Sequence, residues 1–234
     1  MEKKFILTDK FVINSFGIKL FQIKCTKSFK YAQKGDFGGY VEKEGNLDQK
    51  NDAWVSDNAR VFGNARVSSN ARVSSNAWVF GDARVSGNAR VSGDARVSGN
   101  ARVFGDARVS GNARVSSNAR VFGDARVSDN ARVFGDAWVS GNAWVSDNAR
   151  VFGNADIEND NEHCGFDGFG SCNRHTHAYM TKEKKVEIIC GCFRGSIEEF
   201  EKKVEETHSG TVYEKQYKSI INVIKIKFGL TDFT

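Results

Sequence analysis

At 234 residues, with 40% hydrophobic and 27% charged residues, the chain has the composition of a globular protein of one or two domains. Its net charge of +5 is too small to mark a nucleic-acid binder by itself, and no apolar run approaches the length of a membrane span. Five Cys, an odd number clustered late, follow a start that is too short and polar for a signal peptide, so reduced thiols in a cytoplasm are expected.

Residues 1–50 read as an N-terminal β cap. Lys4 to Thr8, Phe11 to Ile13 and Ile18 to Cys25 have the make-up of short strands, and Asn14-Ser15-Phe16-Gly17 supplies turn residues between the last two. The run Gly35 to Val41 reads as a lead-in to the central segment of the chain. Leu47 falls in the slot phase that Ala53 continues.

From Asn51 to Glu158 the chain repeats, eighteen times, a six-residue phrase close to Gly-Asn-Ala-Arg-Val-Ser. So strict a period belongs to solenoids and arrays. Ala stands two residues before Val or Ile in every phrase, so in an extended segment both point inward and the residue between them points outward. The two slots before Ala hold Gly, Ser, Asp or Asn, which tolerate left-handed and turn conformations. Each phrase is therefore one short strand and one corner.

The slot after Val is Ser or Phe, apart from Glu158. Phe62 with Phe80, Phe104 with Phe122, and Phe134 with Phe152 are each eighteen residues apart, which predicts a triangular coil of three phrases with Phe stacked on Phe. Six such coils at the usual strand spacing form a prism roughly 30 Å long. The eighteen-residue period also sorts the outward slot into three faces. One has Arg72, Arg90, Arg108 and Arg126 between Trp54 and Trp144, with Ser at every neighbouring slot. A second has Arg96, Arg114, Arg132 and Arg150, with Arg60 and Trp78 below, and the third has Arg66, Arg84, Arg102 and Arg120, then Trp138 and Asp156. Thirteen Arg against ten Asp and Glu158 leave the repeats only +2, so two readings stand: a soluble surface with corner Asp as counter-charge, or a face that recognises anions. The Phe pairs likewise either shield the helix or offer apolar contact to a protein.

Residues 159–234 read as a C-terminal ββαα cap, needed because a solenoid leaves open strand edges at its ends. Asn159 to Gly170 reads as a linker, and His177 to Thr181 with Lys185 to Phe193 as a hairpin. Ser196-Ile197-Glu198-Glu199 is a capping box opening a helix with Ile197, Phe200 and Val204 on one stripe; a second helix carries Tyr213, Tyr217, Ile220, Ile221, Ile224 and Phe228. His163, Cys164, Cys172, His175, His177, Cys190 and Cys192 gather here without a standard zinc spacing. Cys190 and Cys192 are expected to point together into the core, and no metal or cofactor is expected. Alternatively, Cys190 to Gly195 forms a tight turn that presents Arg194 to a partner.

The phrase Val-x-x-Asn-Ala-x resembles the hexapeptide repeat of left-handed parallel β-helices. The flanks Lys34-Gly35-Asp36-Phe37-Gly38-Gly39-Tyr40-Val41-Glu42 and Cys190-Gly191-Cys192-Phe193-Arg194-Gly195 resemble segments bracketing such repeats in YdcK-like proteins of bacteria and prophages. The resemblance implies a mainly β fold, a left-handed parallel β-helix of about six coils between the two caps. It also implies a phage or prophage origin, and it brings an acyltransferase alternative, since many acyltransferases share the helix. Those enzymes use a His on the helix or on a loop leaving it. Here all four His lie outside the repeats, no insertion interrupts them, and they hold no Lys, Cys or Tyr, so no catalytic residue is expected.

The expected function is a non-enzymatic binding or scaffold protein in the (host) cytoplasm, interfering with a host protein or nucleic-acid complex. Arg72, Arg90, Arg108, Arg126, Trp54, Trp144, Arg96, Arg114, Arg132, Arg150 and Arg194 are the candidate binding residues. A sponge for phosphorylated ligands or nucleotides is the further alternative. No membrane partner is expected, and the fold family admits a dimer or trimer.

Overall fold

The alternation of inward Ala and Val with an outward residue closes the chain into a triangular tube. In the computed structural model, which describes residues 2–230, Met1 and residues 231–234 at the ends of the two predicted caps lie outside the described residues. Eighteen two-residue strands, β4 (Trp54–Val55) to β21 (Asp156–Ile157), pair in parallel with the strand one coil away. Arg90 stands between Arg72 and Arg108, and Val91 between Val73 and Val109, which sets the coil at the predicted eighteen residues. Val97, Val103, Val109 and their equivalents are fully buried with the neighbouring Ala side chains. Taking each Val from water stabilises by roughly 1.5–3 kcal/mol, and the small Ala slots let the walls of the tube approach closely.

Corners obey the backbone rule. In every phrase after the first, the slot two before Ala has φ between 54° and 72°, whether it holds Gly or, as at Ser69, Ser117 and Asp129, another residue. Glycine suits this slot for a second reason: a Cβ on Gly105 would stand 3.0 Å from the Gly123 nitrogen of the next coil. The following slot builds side-chain ladders. Asn58 Nδ2 donates to Asn76 Oδ1 (3.4 Å) and Asn76 Nδ2 to Asp94 Oδ1 (3.1 Å); Asn70, Asn88 and Asp106 repeat the pattern at the next corner. Both of these runs end at an Asp, whose carboxylate accepts and cannot donate onward.

At the N-terminal end, β1 (Phe5–Ile13) is one strand with a bulge between Leu7 and Phe11, where two short strands were expected. It forms an antiparallel hairpin with β2 (Lys19–Cys25), and the Asn14 side chain closes the turn by accepting from the backbone of Phe16 (2.9 Å) and Ile18 (3.0 Å). β3 (Phe37–Val41) pairs antiparallel with β2 and parallel with β5 (Arg60–Val61), so the parallel ladder starts a coil early and there are about seven coils, not six. This lead-in coil is twenty residues long: Val41 pairs with Val61, and Leu47 with Val67. Leu47 thus fills a Val slot, not the Ala slot its spacing suggested. Lys4 fastens the extra residues, its Nζ donating to the carbonyls of Asn51 and Ala53 (2.5 and 2.8 Å) above the Phe29 ring.

The C-terminal cap has a four-stranded antiparallel sheet: β22 (His163–Phe169), β23 (Arg174–Met180), β24 (Val186–Cys190) and β25 (Phe193–Gly195). The segment expected to be a linker is therefore mostly β22, and its polar, Gly-rich composition reflects a strand at the sheet edge. The predicted helices are α1 (Ile197–His208) and α2 (Val212–Lys227), with the Ser196/Glu199 capping box formed and Ile197, Phe200, Val204, Tyr217, Ile220, Ile221 and Ile224 buried. Tyr213 and Phe228 are only half-buried. Among the described residues no helix is long and apolar enough to cross a membrane.

Replacing Asn76 by Asp sets two carboxylates in adjacent rungs and removes a donor; unfolding should be easier by about 1 kcal/mol. Adding Asp94→Asn restores a donor and should recover most of that loss in the same melt. Lys4 supplies a pH test, because burial lowers its pKa from 10.5 to about 8. Between those values the unfolded chain holds the proton and the folded one has released it, so the Lys4 contribution to stability rises with pH there. Denaturant titrations of wild type and Lys4→Met should shift in favour of wild type by up to about 1.4 kcal/mol per pH unit across this window.

Candidate functional site

The in-register ladder sets each outward arginine directly over its copy. At about 5 Å, two unit charges in water repel by roughly 0.8 kcal/mol, and by more where the protein displaces solvent. Among the described residues no ion pair joins a solenoid arginine to a carboxylate. The corner Asp residues have other engagements: Asp94, Asp106 and Asp136 accept from Asn side chains of the preceding coil, and Asp57 accepts from the Ser75 backbone (2.9 Å). They do not supply direct counter-charge.

The three faces differ in what accompanies the arginines. On the first, Trp54 is 5% exposed beneath Phe29 (centroids 5.4 Å apart), and Arg72 lies over Tyr31 at 4.8 Å. Trp54 therefore belongs to the seam with the N-terminal cap and not to the surface. Arg90, Arg108 and Arg126 are exposed beside Ser92, Ser110 and Ser128. Trp144 ends the row, 51% exposed, its Nε1 donating to Ser128 Oγ at 3.0 Å. The Lys30–Tyr31 loop overhangs Arg90 and Arg108, forming a shallow hollow of about 250 Å³ with Asn88 and Asp106.

On the second face Trp78 is held between Arg60 (5.1 Å) and Arg96 (5.3 Å). The predicted Phe stacks are present, with centroids 4.8–5.0 Å apart. Two of the three are used to seat the caps: Phe16 covers Phe62 and Phe80 (6.0 and 6.1 Å), while Tyr179 and Arg194 cover Phe152. On the third face Phe104 stacks on Phe122, and Trp138 lies between Arg120 (5.0 Å) and Lys182 (4.4 Å).

Arg194, expected to meet a partner, binds Glu187 through Nε and Nη2 (2.7 and 3.1 Å) and rests on the Phe152 ring. The tight turn it follows does form, at Gly191-Cys192. Cys190 and Cys192 do not point together: Cys190 is buried and donates to the Tyr217 hydroxyl oxygen (3.6 Å), whereas Cys192 is exposed on the turn. Around them, and elsewhere among the described residues, no three His, Cys, Asp or Glu side chains are placed, as they stand, to hold a metal ion.

The upper end of the second face forms one wall of a cleft of about 450 Å³. Arg132, Arg150, Asn130 and Asn148 line it from the solenoid, and Asp167, Arg174 and His175 from the cap. His175 Nδ1 meets Asp167 Oδ1 at 2.9 Å. Three guanidinium groups from two walls thus border one space, an arrangement that the flat ladders lack. Arg174, His175 and Asp167 carry no motif, and their meeting with Arg150 depends on how the cap folds back. The alternation of His175, His177 and Tyr179 was the available sign that one side of this strand faces something large.

Compared with known families, the chain matches the YdcK Beta solenoid repeat over residues 53–69, 83–99, 95–111, 107–123 and 125–141. No curated protein matches it. All five matched segments lie in the tube and none in either cap, so the similarity to the YdcK beta-solenoid repeat is confined to the solenoid.

Proposed function

We propose that the chain is a non-enzymatic binding scaffold that holds a polyanion, in the first place the phosphate backbone of a nucleic acid, on its Ser-lined arginine face. One observation carries this reading: Arg90, Arg108 and Arg126 are exposed, stacked in register, and without an ion pair or an aromatic partner among the described residues. A row of unneutralised guanidinium groups on a rigid sheet lowers its own electrostatic energy by taking up phosphates, and Ser hydroxyls add donors beside them. The repeats hold no His, Lys, Cys or Tyr, which favours binding over acyl transfer. A phage or prophage origin, and interference with a host complex in the cytoplasm, extend the proposal and rest on the YdcK-like resemblance.

A second reading, capture of a small phosphorylated ligand, is favoured by the cleft, whose size lies within the range of small-molecule sites. The two readings separate by mutation. Fluorescence anisotropy with labelled single- and double-stranded oligonucleotides should show binding that weakens with salt, with a log–log slope of about −2 to −3. Arg90→Glu with Arg108→Glu should weaken it at least about tenfold, at roughly 1.4 kcal/mol per decade. The same reversal at Arg96 and Arg120, each of which already lies over a Trp ring, should do much less. No binding of either oligonucleotide, or an unaffected Arg90/Arg108 variant, would sink the first reading. Calorimetry with nucleoside monophosphates tests the second: heat lost in Arg150→Ala/Arg174→Ala and kept in the Arg90/Arg108 variant supports it, and no heat with wild type ends it.

A further inference from the structure

The seam between the last coil and the cap is closed by histidines. A last coil has no further strand to donate to its outward carbonyls, and two of them are met by imidazoles: His163 Nε2 lies 3.1 Å from the Trp144 oxygen and His177 Nδ1 lies 2.8 Å from the Arg150 oxygen. A carbonyl only accepts, so both of these ring nitrogens carry protons. The other nitrogens of the same rings, His163 Nδ1 and His177 Nε2, face each other at 3.2 Å. In two neutral rings both are then bare lone pairs.

A third ring repeats the pattern. His175 Nδ1 is bonded to Asp167, and its Nε2 is buried with no partner. His175 and His177 lie 5.7 Å apart, and His163 and His177 5.4 Å, by ring centroids. The strand leaves room among them because position 165 lacks a side chain: a Cβ on Gly165 would stand 2.7 Å from His175 Cε1, 3.2 Å from its Nε2 and 3.8 Å from His177 Cδ2.

Three imidazoles, each with one nitrogen committed to an oxygen acceptor and the other left as an unused lone pair, are the donor set of a metal centre with its outer hydrogen bonds in place. Two nitrogens on one tetrahedral metal at 2.0–2.1 Å stand about 3.3 Å apart, close to the spacing of His163 and His177. We propose that this seam is a transition-metal site, zinc first, with His163 Nδ1 and His177 Nε2 as paired ligands and His175 Nε2 as the third. His175 completes the set by turning toward the pair over Gly165, its hydrogen bond carried along by the exposed Asp167 side chain. A proton shared by the two rings is the rival occupant, and it would leave His175 Nε2 without a partner. A divalent ion binds the neutral rings directly.

The test is Co²⁺ titration of the EDTA-stripped full chain, followed by displacement with Zn²⁺. The expected result is uptake of about one equivalent with visible ligand-field bands of low-coordinate cobalt, lost on adding zinc. Gly165→Ala fills the space among the rings and touches neither capped carbonyl, so it should abolish uptake with an unchanged far-UV circular dichroism spectrum. His175→Ala gives the same loss if Gly165→Ala misfolds, and Asp167→Asn should weaken binding about ten- to a hundredfold. Absence of uptake by wild type, or equal uptake by the Gly165 and His175 variants, would overturn the proposal.

Discussion

In-register stacking of near-identical phrases is the constraint on which the rest of this protein depends. Once Ala and Val alternate around a narrow core and the coil closes at eighteen residues, each side chain lies on its own copy about 5 Å away. For Phe the consequence is a parallel stack, and for Asn a chain of amide hydrogen bonds. For Arg the consequence is repulsion. The scaffold thus spends part of its hydrophobic stability on holding like charges together, and the arginine rows are where that energy is recovered if an anion arrives.

The caps add what the repeats cannot provide. A solenoid offers unpaired backbone at both ends, and each end is answered with polar side chains: Lys4 at the first corner, His163 and His177 at the last coil. These groups bond to backbone carbonyls and need no particular sequence in the coil they touch. The seams also explain why aromatic residues that read as surface from their spacing, such as Trp54 and Phe62, are buried.

The repeated part of the chain was legible because its period maps directly onto geometry. The coil length followed from the spacing of Phe62 and Phe80, and the three faces from the spacing of the arginines. What escaped was non-periodic. Two extra residues in the lead-in coil moved Leu47 from an Ala slot to a Val slot, a shift visible only through its pairing with Val67. Asn159–Gly170 reads as a linker because its Gly and Asp suit loops, yet tertiary pairing makes most of it a strand. The charged cleft escaped for the same reason, since it forms between residues such as Arg150 and Arg174 whose nearness is decided by the fold-back of the cap. Arg194 was visible as an exposed arginine after a turn, but its partner Glu187 comes from the neighbouring strand.

Both caps grip the second face, one through Phe16 on Phe62 and Phe80, the other through Tyr179 on Phe152. Because three phrases make a turn, adding or losing a single phrase would carry the C-terminal cap about a third of the way around the axis, onto a neighbouring face. Only changes of three phrases would preserve the mutual orientation of the two ends. The number of phrases modulo three therefore acts as an angular setting, and the number of whole coils as a length setting. Such a molecule can vary its span freely in steps of one coil while keeping the same two ends pointed the same way.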